Sequence, residues 1–316
     1  MNETCVKIFK KNFSVTLNVL LLLIVYVCAI VFILFSNILM IIGTIKLNKH
    51  LSLSKKLFLC QSFSDLVTGI LTVPIQIGMV INGSKSNCTL VSIQAFFNAF
   101  SPSLSMMLLM VISLFRYALI TKNSKAMKLT SPSAVKFILI IQVLFSLCYA
   151  CWYCYISRLT RQLHHVIFLI FSSAYVICIV TGMIVINLRL LFHINKTSKN
   201  SALRKNSNII QYHTKATKTI LIITVVAILC YLPLIILFPF VGFLIVTNDP
   251  RSHYYNYMLP WAHAPIVYNS GINSIVYISR NGGVLKYMKM FFTKTVAQDN
   301  FSNDRNSCGR LSCPDK

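Results

Sequence analysis

The stretch SFSDLVTGIL at residues 62–71 places one carboxylate, that of Asp65, inside an apolar segment. No other charged residue occurs between positions 57 and 84, and Asp65 is the only acidic residue between Glu3 and Asp249. A carboxylate in the middle of an apolar helix is costly, and such residues usually serve a function. The fold must give this side chain polar partners, and the surrounding sequence indicates which fold that is.

The composition is that of a membrane protein. The chain has 316 residues, of which 56% are hydrophobic and only 11% are charged, whereas soluble domains carry about 25% charged residues. The formal net charge of +24 would suggest nucleic-acid binding in a soluble domain. Here the basic residues lie between apolar runs rather than on one polar domain, so the lipid bilayer is a predicted partner and nucleic acid is not.

Seven windows lack Asp, Glu, Lys and Arg apart from Asp65, and they cover residues 12–45, 57–84, 86–115, 137–157, 166–188, 219–248 and 252–279. Each reaches the length of about 20 residues that a helix needs to cross the hydrocarbon layer. Backbone groups in lipid must form hydrogen bonds within their own segment, which favours helices. The sequence therefore predicts an all-α membrane protein with a bundle of seven transmembrane helices.

The distribution of basic residues predicts the orientation. If the N-terminus lies outside, the inner segments 46–56, 116–136, 189–218 and 280–316 hold 23 Lys and Arg residues and the outer segments hold 7. Basic residues favour the cytoplasmic side, so the N-terminus is predicted to be extracellular. Four glycosylation sequons then lie outside, at Asn2, Asn12, Asn82 and Asn87.

The predicted organisation has four parts and no folded soluble domain. Residues 1–16 form an extracellular tail, and residues 17–280 form the membrane domain. Residues 281–293 form a short amphipathic helix on the inner membrane surface after the seventh span, because their apolar side chains share one face. Residues 294–316 are polar and are predicted to be a disordered cytoplasmic tail.

The depth of Asp65 indicates where its partners lie. It follows Lys55 by ten residues, or about 15 Å along a helix, which is near the midplane of the membrane. The polar side chains expected near this depth are Asn37, Ser105, Asn269 and Asn273. No window contains a basic residue, so a small cation is one counter-charge for Asp65. The alternative is a protonated Asp65 that is hydrogen-bonded between helices.

Five motifs resemble those of the class A, rhodopsin-like, G protein-coupled receptors, and they occur in that family's order and on the expected helices. They are SNILMIIG at 36–43, SFSDLVTGILTVP at 62–74, SLFRYALI at 113–120, CYLP at 230–233 and NSGINSIVYISRN at 269–281. The short second outer loop and the fifth window without proline are loosely similar to melanocortin, cannabinoid and lysophospholipid receptors. The resemblance implies a plasma-membrane receptor that binds an extracellular ligand, activates heterotrimeric G proteins and has no enzyme active site.

The resemblance also implies roles for individual residues. The family binds an allosteric sodium ion beneath its ligand pocket, and the matching residues here are Asp65, Ser105, Asn269 and Asn273, with Asn37 in the same network. No other cofactor is implied.

A second set matches the family's activation residues. Arg116 and Tyr117 correspond to the pair at the G protein interface, and Tyr277 to a tyrosine that rotates inward on activation. Pro233 corresponds to the kink in the sixth helix. Tyr231 stands where the family usually has a tryptophan switch.

Some positions differ from the family's pattern. Phe115 replaces the acid before Arg116, and no Asp or Glu occurs between residues 66 and 248. This predicts raised basal signalling, unless hydrogen bonds substitute for the family's ion pair. A simpler alternative is that Arg116 only extends to the membrane interface. Ser274 replaces the proline of the seventh-helix motif.

The family's outer disulfide is altered as well. Its cysteine on the third helix would fall near Val91, three residues after Cys88. Two pairings remain open at this stage, Cys88 with Cys154 and Cys88 with Cys5.

The ligand pocket is predicted between the outer halves of the helices. Asn98 precedes Arg116 by eighteen residues, five helical turns, and therefore faces the bundle interior. Amine receptors carry an Asp at the matching position, so the ligand is not expected to be a biogenic amine. His263, Gln76 and Gln94 are further candidate ligand contacts, and the alternative for them is ordinary hydrogen bonding between helices.

Two other functions remain as alternatives. One is a degenerate receptor that no longer couples to G proteins, which the differences at Phe115, Ser274 and Tyr231 suggest. The other is a seven-helix channel or transporter, which would need a continuous polar path of which Asp65 alone supplies little.

Overall fold

The computed structural model describes residues 17–47, 52–82, 88–121, 130–156, 162–201, 207–247, 249 and 255–290. Within these ranges the ordered elements are helices, and no strand occurs. The predicted glycosylation sites Asn2, Asn12 and Asn87, and the side chain of Asn82, lie outside the described part of the protein.

Seven long helices follow one another in the described ranges. In order they are helix 1 (Leu17–Leu47), helix 2 (Leu53–Ile81), helix 3 (Cys88–Thr121), helix 4 (Pro132–Ile156), helix 5 (Gln162–Ser201), helix 6 (Ser207–Val246) and helix 7 (Tyr255–Arg280). Over the described residues, the first six are long and apolar enough to cross a membrane. Helix 7 is more polar because it carries Asn269 and Asn273. The prediction of an all-α, seven-helix bundle is confirmed.

The bundle is apolar on its outer surface and buries polar clusters within a largely apolar interior, unlike a soluble protein. Large apolar side chains such as Val31, Phe192 and Phe243 are exposed on the outer helix faces. Asn37 and Asp65, by contrast, are fully buried. This distribution follows when the surrounding solvent is lipid, because polar groups can then find partners only between the helices.

Helices 5 and 6 extend further than the sequence predicts. The segment 189–218 was expected to be the longest inner connection, but helix 5 continues to Ser201 and helix 6 begins at Ser207. The apolar windows end where charged residues begin, and a charged residue does not stop a helix once the helix has left the membrane. Only residues 202–206 separate the two helices in sequence.

Helix 2 changes its winding about one turn after Asp65. Residues Thr68–Thr72 form a π-helical turn, and the chain then continues as an α-helix from Val73. A π turn holds an extra residue, so it rotates the outer half of the helix relative to the inner half. Thr68 within this turn is hydrogen-bonded to Ser101 of helix 3.

A short helix over residues 282–290 packs beneath helix 1. Its apolar residues Val284 and Met288 are buried, whereas Met290 is exposed. A Cβ atom on Gly43 of helix 1 would lie 2.8 Å from Cγ1 of Val284 and 2.9 Å from Cε of Met288. The glycine therefore permits the close approach of this helix, while residues 291–293 of the predicted amphipathic segment lie outside the described range.

Candidate functional site

Asp65 is the centre of a buried hydrogen-bond cluster between helices 2, 3 and 7. Its side chain has no solvent-exposed surface. Ser105 Oγ of helix 3 donates to Oδ1 of Asp65 at 3.0 Å, and Asn273 Nδ2 of helix 7 donates to Oδ2 at 3.5 Å. The structure thus brings two of the sequence-predicted residues to the carboxylate.

Gln61 is within hydrogen-bond distance of both oxygens of this carboxylate and was missed in the sequence. Its Nε2 lies 3.2 Å from Oδ1 and 3.1 Å from Oδ2 of Asp65, and 2.6 Å from Oγ of Ser105. A signal was available, because Gln61 precedes Asp65 by four residues and so shares its helix face. The amide of Gln61 supplies a donor to the carboxylate from the same helix.

Several buried amide oxygens on helices 2 and 7 have no donor. Among the described residues, Oε1 of Gln61 and the Oδ1 atoms of Asn269 and Asn273 are buried without a hydrogen-bond partner. Asn269 therefore lies in the core without a bond to Asp65. Buried acceptors normally have partners, so this surplus of oxygens could accommodate water or a hard cation, which binds oxygen ligands.

Asn37 belongs to a neighbouring cluster rather than to the carboxylate itself. Its Nδ2 donates to the carbonyl oxygens of Ile33 at 2.9 Å and of Ser270 at 3.0 Å. Its Oδ1 accepts a hydrogen bond of 2.6 Å from Oγ of Ser274, and the Ser274 hydroxyl also lies 3.2 Å from that of Ser62. The serine that replaces the motif's proline therefore joins helices 1, 2 and 7.

A second buried cluster, centred on Asn187 of helix 5, was not predicted. Nδ2 of Asn187 donates to the Met183 carbonyl at 2.8 Å, to Oγ1 of Thr224 on helix 6 at 3.1 Å and to Oγ of Ser113 on helix 3 at 3.4 Å. A single amide therefore bridges three helices. The signal in the sequence was a lone asparagine in the apolar window 166–188.

The residues at the helix ends that the sequence predicts to be cytoplasmic are placed as follows. Arg116 and Tyr117 are half-buried near the end of helix 3. Phe115 is buried in the apolar core, which accounts for an apolar residue at this position. The ring of Tyr277 is buried against that of Phe58, with 4.5 Å between centroids.

An aromatic cavity lies between helices 3 to 7, in the half of the bundle that the sequence predicts to be outer, and its free space is about 50 Å³. The predicted residues Asn98 and His263 line it, and so does Tyr231. Gln76 and Gln94 are not among its lining residues. They are hydrogen-bonded to each other, with Nε2 of Gln94 donating to Oε1 of Gln76 at 2.6 Å. Ordinary hydrogen bonding between helices was the alternative to ligand contact for these two residues.

The chain matches the sequence model of the rhodopsin family of seven-transmembrane receptors over residues 36–277. It belongs to that family. No curated protein matches it at the similarity required for a relationship. The predicted resemblance to class A receptors is confirmed, and this receptor is a multi-pass membrane protein of a family whose members are receptors rather than enzymes.

The disulfide of this receptor differs from one of the two predicted pairings. Cys88 is disulfide-bonded, whereas Cys154 retains its thiol. A cysteine forms only one disulfide, so the pairing of Cys88 with Cys154 is wrong. The pairing of Cys88 with Cys5 stays a prediction, because Cys5 lies outside the described residues.

Most side-chain atoms in the core of the receptor that could bind a metal ion are oxygens. No group of three or more His, Cys, Asp or Glu side chains that could hold a metal occurs in the described ranges. The Asp65 cluster instead combines one carboxylate with the Ser105 hydroxyl and the side-chain amides of Gln61 and Asn273. Such a set suits sodium better than a transition metal, which prefers imidazole or thiolate.

Proposed function

We propose that this chain is a plasma-membrane receptor, with its N-terminus outside, that binds an extracellular ligand in the aromatic cavity and activates heterotrimeric G proteins. The observation that carries the proposal is a hydrogen bond from the cavity to the helix core. Tyr231 of helix 6 lines the cavity, and its hydroxyl donates to the carbonyl of Pro102 on helix 3 at 3.1 Å.

This hydrogen bond would couple ligand binding to the movement of helix 6. A ligand that displaces the Tyr231 hydroxyl would release helix 6 from helix 3 at that level. Pro233 follows two residues later inside helix 6, and a proline removes a backbone hydrogen bond there and permits bending. Outward movement of the inner half of helix 6 would expose Arg116 and Tyr117 to a G protein, with Tyr277 turning from its packing on Phe58.

A sodium ion is proposed as an allosteric ligand of the Asp65 cluster. The carboxylate of Asp65 and the hydroxyl of Ser105 would hold it, and the unpartnered oxygens of Asn269 and Asn273 would serve as further ligands of the ion. The ion would supply positive charge to a buried carboxylate. A cation bound there would favour whichever helix packing keeps these residues together.

The coupling proposal can be tested without a known ligand. Ligand-free G protein activation should be measured in cells, across the main G protein subtypes, for wild type and Arg116→Ala at matched surface levels. We expect activity above that of receptor-free cells, because the residue beside Arg116 is the buried, uncharged Phe115. Arg116→Ala should return this activity to the receptor-free level.

The exposed Arg189 on helix 5 provides the control. Arg189→Ala removes the same charge near the same membrane face and should leave activation within about twofold of wild type, as expected for an exposed position. Activity that survives Arg116→Ala would contradict the assigned role. Silence of both receptors for every G protein would favour a non-coupling receptor, the alternative that Phe115, Ser274 and Tyr231 suggest.

The sodium proposal can be tested on purified receptor. Thermal unfolding should be compared in sodium chloride and choline chloride at equal ionic strength. Sodium at several times its Kd should raise the Tm of wild type by about 2–4 °C, and Asp65→Asn should abolish the difference. A sodium-dependent shift that persists in Asp65→Asn would place the ion elsewhere, and no shift in wild type would favour the protonated carboxyl.

A further inference from the structure

The aromatic cavity has no charged group among its described residues. Fifteen such residues line it, and none is Asp, Glu, Lys or Arg. A charged group that entered this space would lose its hydration without gaining an opposite charge, which costs several kcal/mol. A protonated His263 would be an equally unpaired charge.

Aromatic rings are a large part of the cavity lining. The rings of Tyr153 on helix 4 and Phe168 on helix 5 are parallel within 2°, with 4.1 Å between centroids. Tyr149 and Tyr175 form a second pair across the same two helices at 4.9 Å. With Phe238 on the helix 6 side, these rings offer flat apolar surfaces, and aromatic groups stack favourably on such surfaces.

Most of the polar groups at the cavity are already occupied. The hydroxyl of Tyr175 lies 2.7 Å from that of Ser103, and the hydroxyl of Tyr149 donates to Oγ of Ser172 at 3.1 Å. His263 and Tyr153 differ, because neither has a hydrogen bond to any residue in the described part of the chain. His263 is only 8% exposed, so its imidazole is a buried polar group in need of a partner.

We propose that the part of the ligand entering this cavity is an uncharged aromatic ring with one neutral hydrogen-bonding group for His263. The inference rests on the proposed function in taking this cavity as the receptor's ligand site. It excludes both ammonium and carboxylate groups at this depth. The free space of about 50 Å³ is under two water volumes, so the ring enters by separating the aromatic side chains.

Three small probes test the role of charge. They are 2-phenylethanol, the 2-phenylethylammonium ion and phenylacetate, which share a phenyl ring and carry a neutral, a positive or a negative end. Thermal unfolding of the purified, full-length receptor in lipid nanodiscs is measured with each. At a few times its Kd, 2-phenylethanol should raise the Tm by about 2 °C, and the two ions should raise it less.

Matched variants of helix 6 separate cavity binding from effects on the lipid. Phe238→Leu alters a cavity wall, whereas Phe243→Leu makes the same change on a lipid-facing residue that is 64% exposed. The shift with 2-phenylethanol should fall by at least half in Phe238→Leu and in His263→Leu, and it should persist in Phe243→Leu.

Three outcomes would overturn the inference: a larger shift with either ion, equal shifts in the two phenylalanine variants, or no shift with 2-phenylethanol. The assay contains no G protein, so its result is independent of coupling. A receptor that binds the alcohol but activates no G protein would retain this inference and lose the proposed function. A receptor that activates G proteins but whose Tm rises more with one of the ions would retain the proposed function and lose this inference.

Discussion

The two buried polar clusters differ in charge and in the helices that they join. The Asp65 cluster places a carboxylate between helices 2, 3 and 7, where Gln61, Ser105 and Asn273 donate to it. The Asn187 cluster contains only neutral groups and joins helix 5 to helices 3 and 6.

This difference indicates which cluster can open during signalling. Removing a donor from a buried carboxylate leaves an uncompensated charge, whereas separating two neutral groups costs about 0.5–1.5 kcal/mol per hydrogen bond. The proposed mechanism moves helix 6. The hydrogen bond between Asn187 and helix 6 joins two neutral groups and is therefore the weaker of the two types. The bundle therefore combines a strongly held side, helices 2, 3 and 7, with a side that separates at low cost.

The largest effect is expected for Gln61→Leu. This change removes the donor to both oxygens of Asp65 and should lower the free energy of unfolding by about 3 kcal/mol, the range for losing one partner of a buried charge. Stability is measured by thermal or denaturant unfolding of the purified receptor. The double variant Gln61→Leu, Asp65→Leu should be more stable than Gln61→Leu alone, because the buried charge is then absent. Equal or lower stability of the double variant would contradict a charged Asp65.

A smaller loss of stability and a gain of activity are expected for Asn187→Leu. The change removes the bond to Thr224 of helix 6 and should cost about 1–2 kcal/mol, while ligand-free G protein activation rises several-fold at matched surface levels. Ser173→Ala is the control, because the buried hydroxyl of Ser173 donates only to Leu169 of its own helix 5. Basal activity that is equal in Asn187→Leu and wild type would remove the distinction between the two clusters.

The smallest effect is expected for Ser274→Ala, which tests whether charge or location determines the cost. Ser274 lies on the strongly held side, but its bond to Asn37 is neutral. Its loss should lower the free energy of unfolding by about 1 kcal/mol, measured as for Gln61→Leu. A loss as large as that of Gln61→Leu would mean that location, rather than the charge of Asp65, sets the strength of this side.

The fold followed from sequence because lipid imposes one rule on every segment. A long window without charge must be a helix in a membrane, and seven such windows predict the observed bundle. The ends of helices 5 and 6 could not be predicted in this way, because the rule no longer applies outside the lipid. The disulfide pairing could not be predicted either, because the spacing of cysteines in the sequence does not determine which of them are close in the fold.

The candidate site was predictable where charge and helical spacing both pointed to a residue. Asp65 was conspicuous by its charge, and Ser105 and Asn273 shared its depth. Gln61 and Asn187 carry no charge and match none of the family motifs, so their signals in the sequence were weak and their hydrogen bonds in the folded bundle identify them. Asn37 was expected near Asp65 and instead bonds to helix 7, because its depth was known but not the direction of its side chain.

The π turn at Thr68–Thr72 has a consequence for how helix 2 tolerates insertions and deletions. Each residue turns an α-helix by about 100°, so deleting one residue within this turn would restore regular winding and rotate everything beyond it. Asp65 would keep its orientation, while Gln76 would turn away from Gln94 and Asn98. The outer end of this helix can therefore change register, and with it the cavity rim, without disturbing the buried carboxylate.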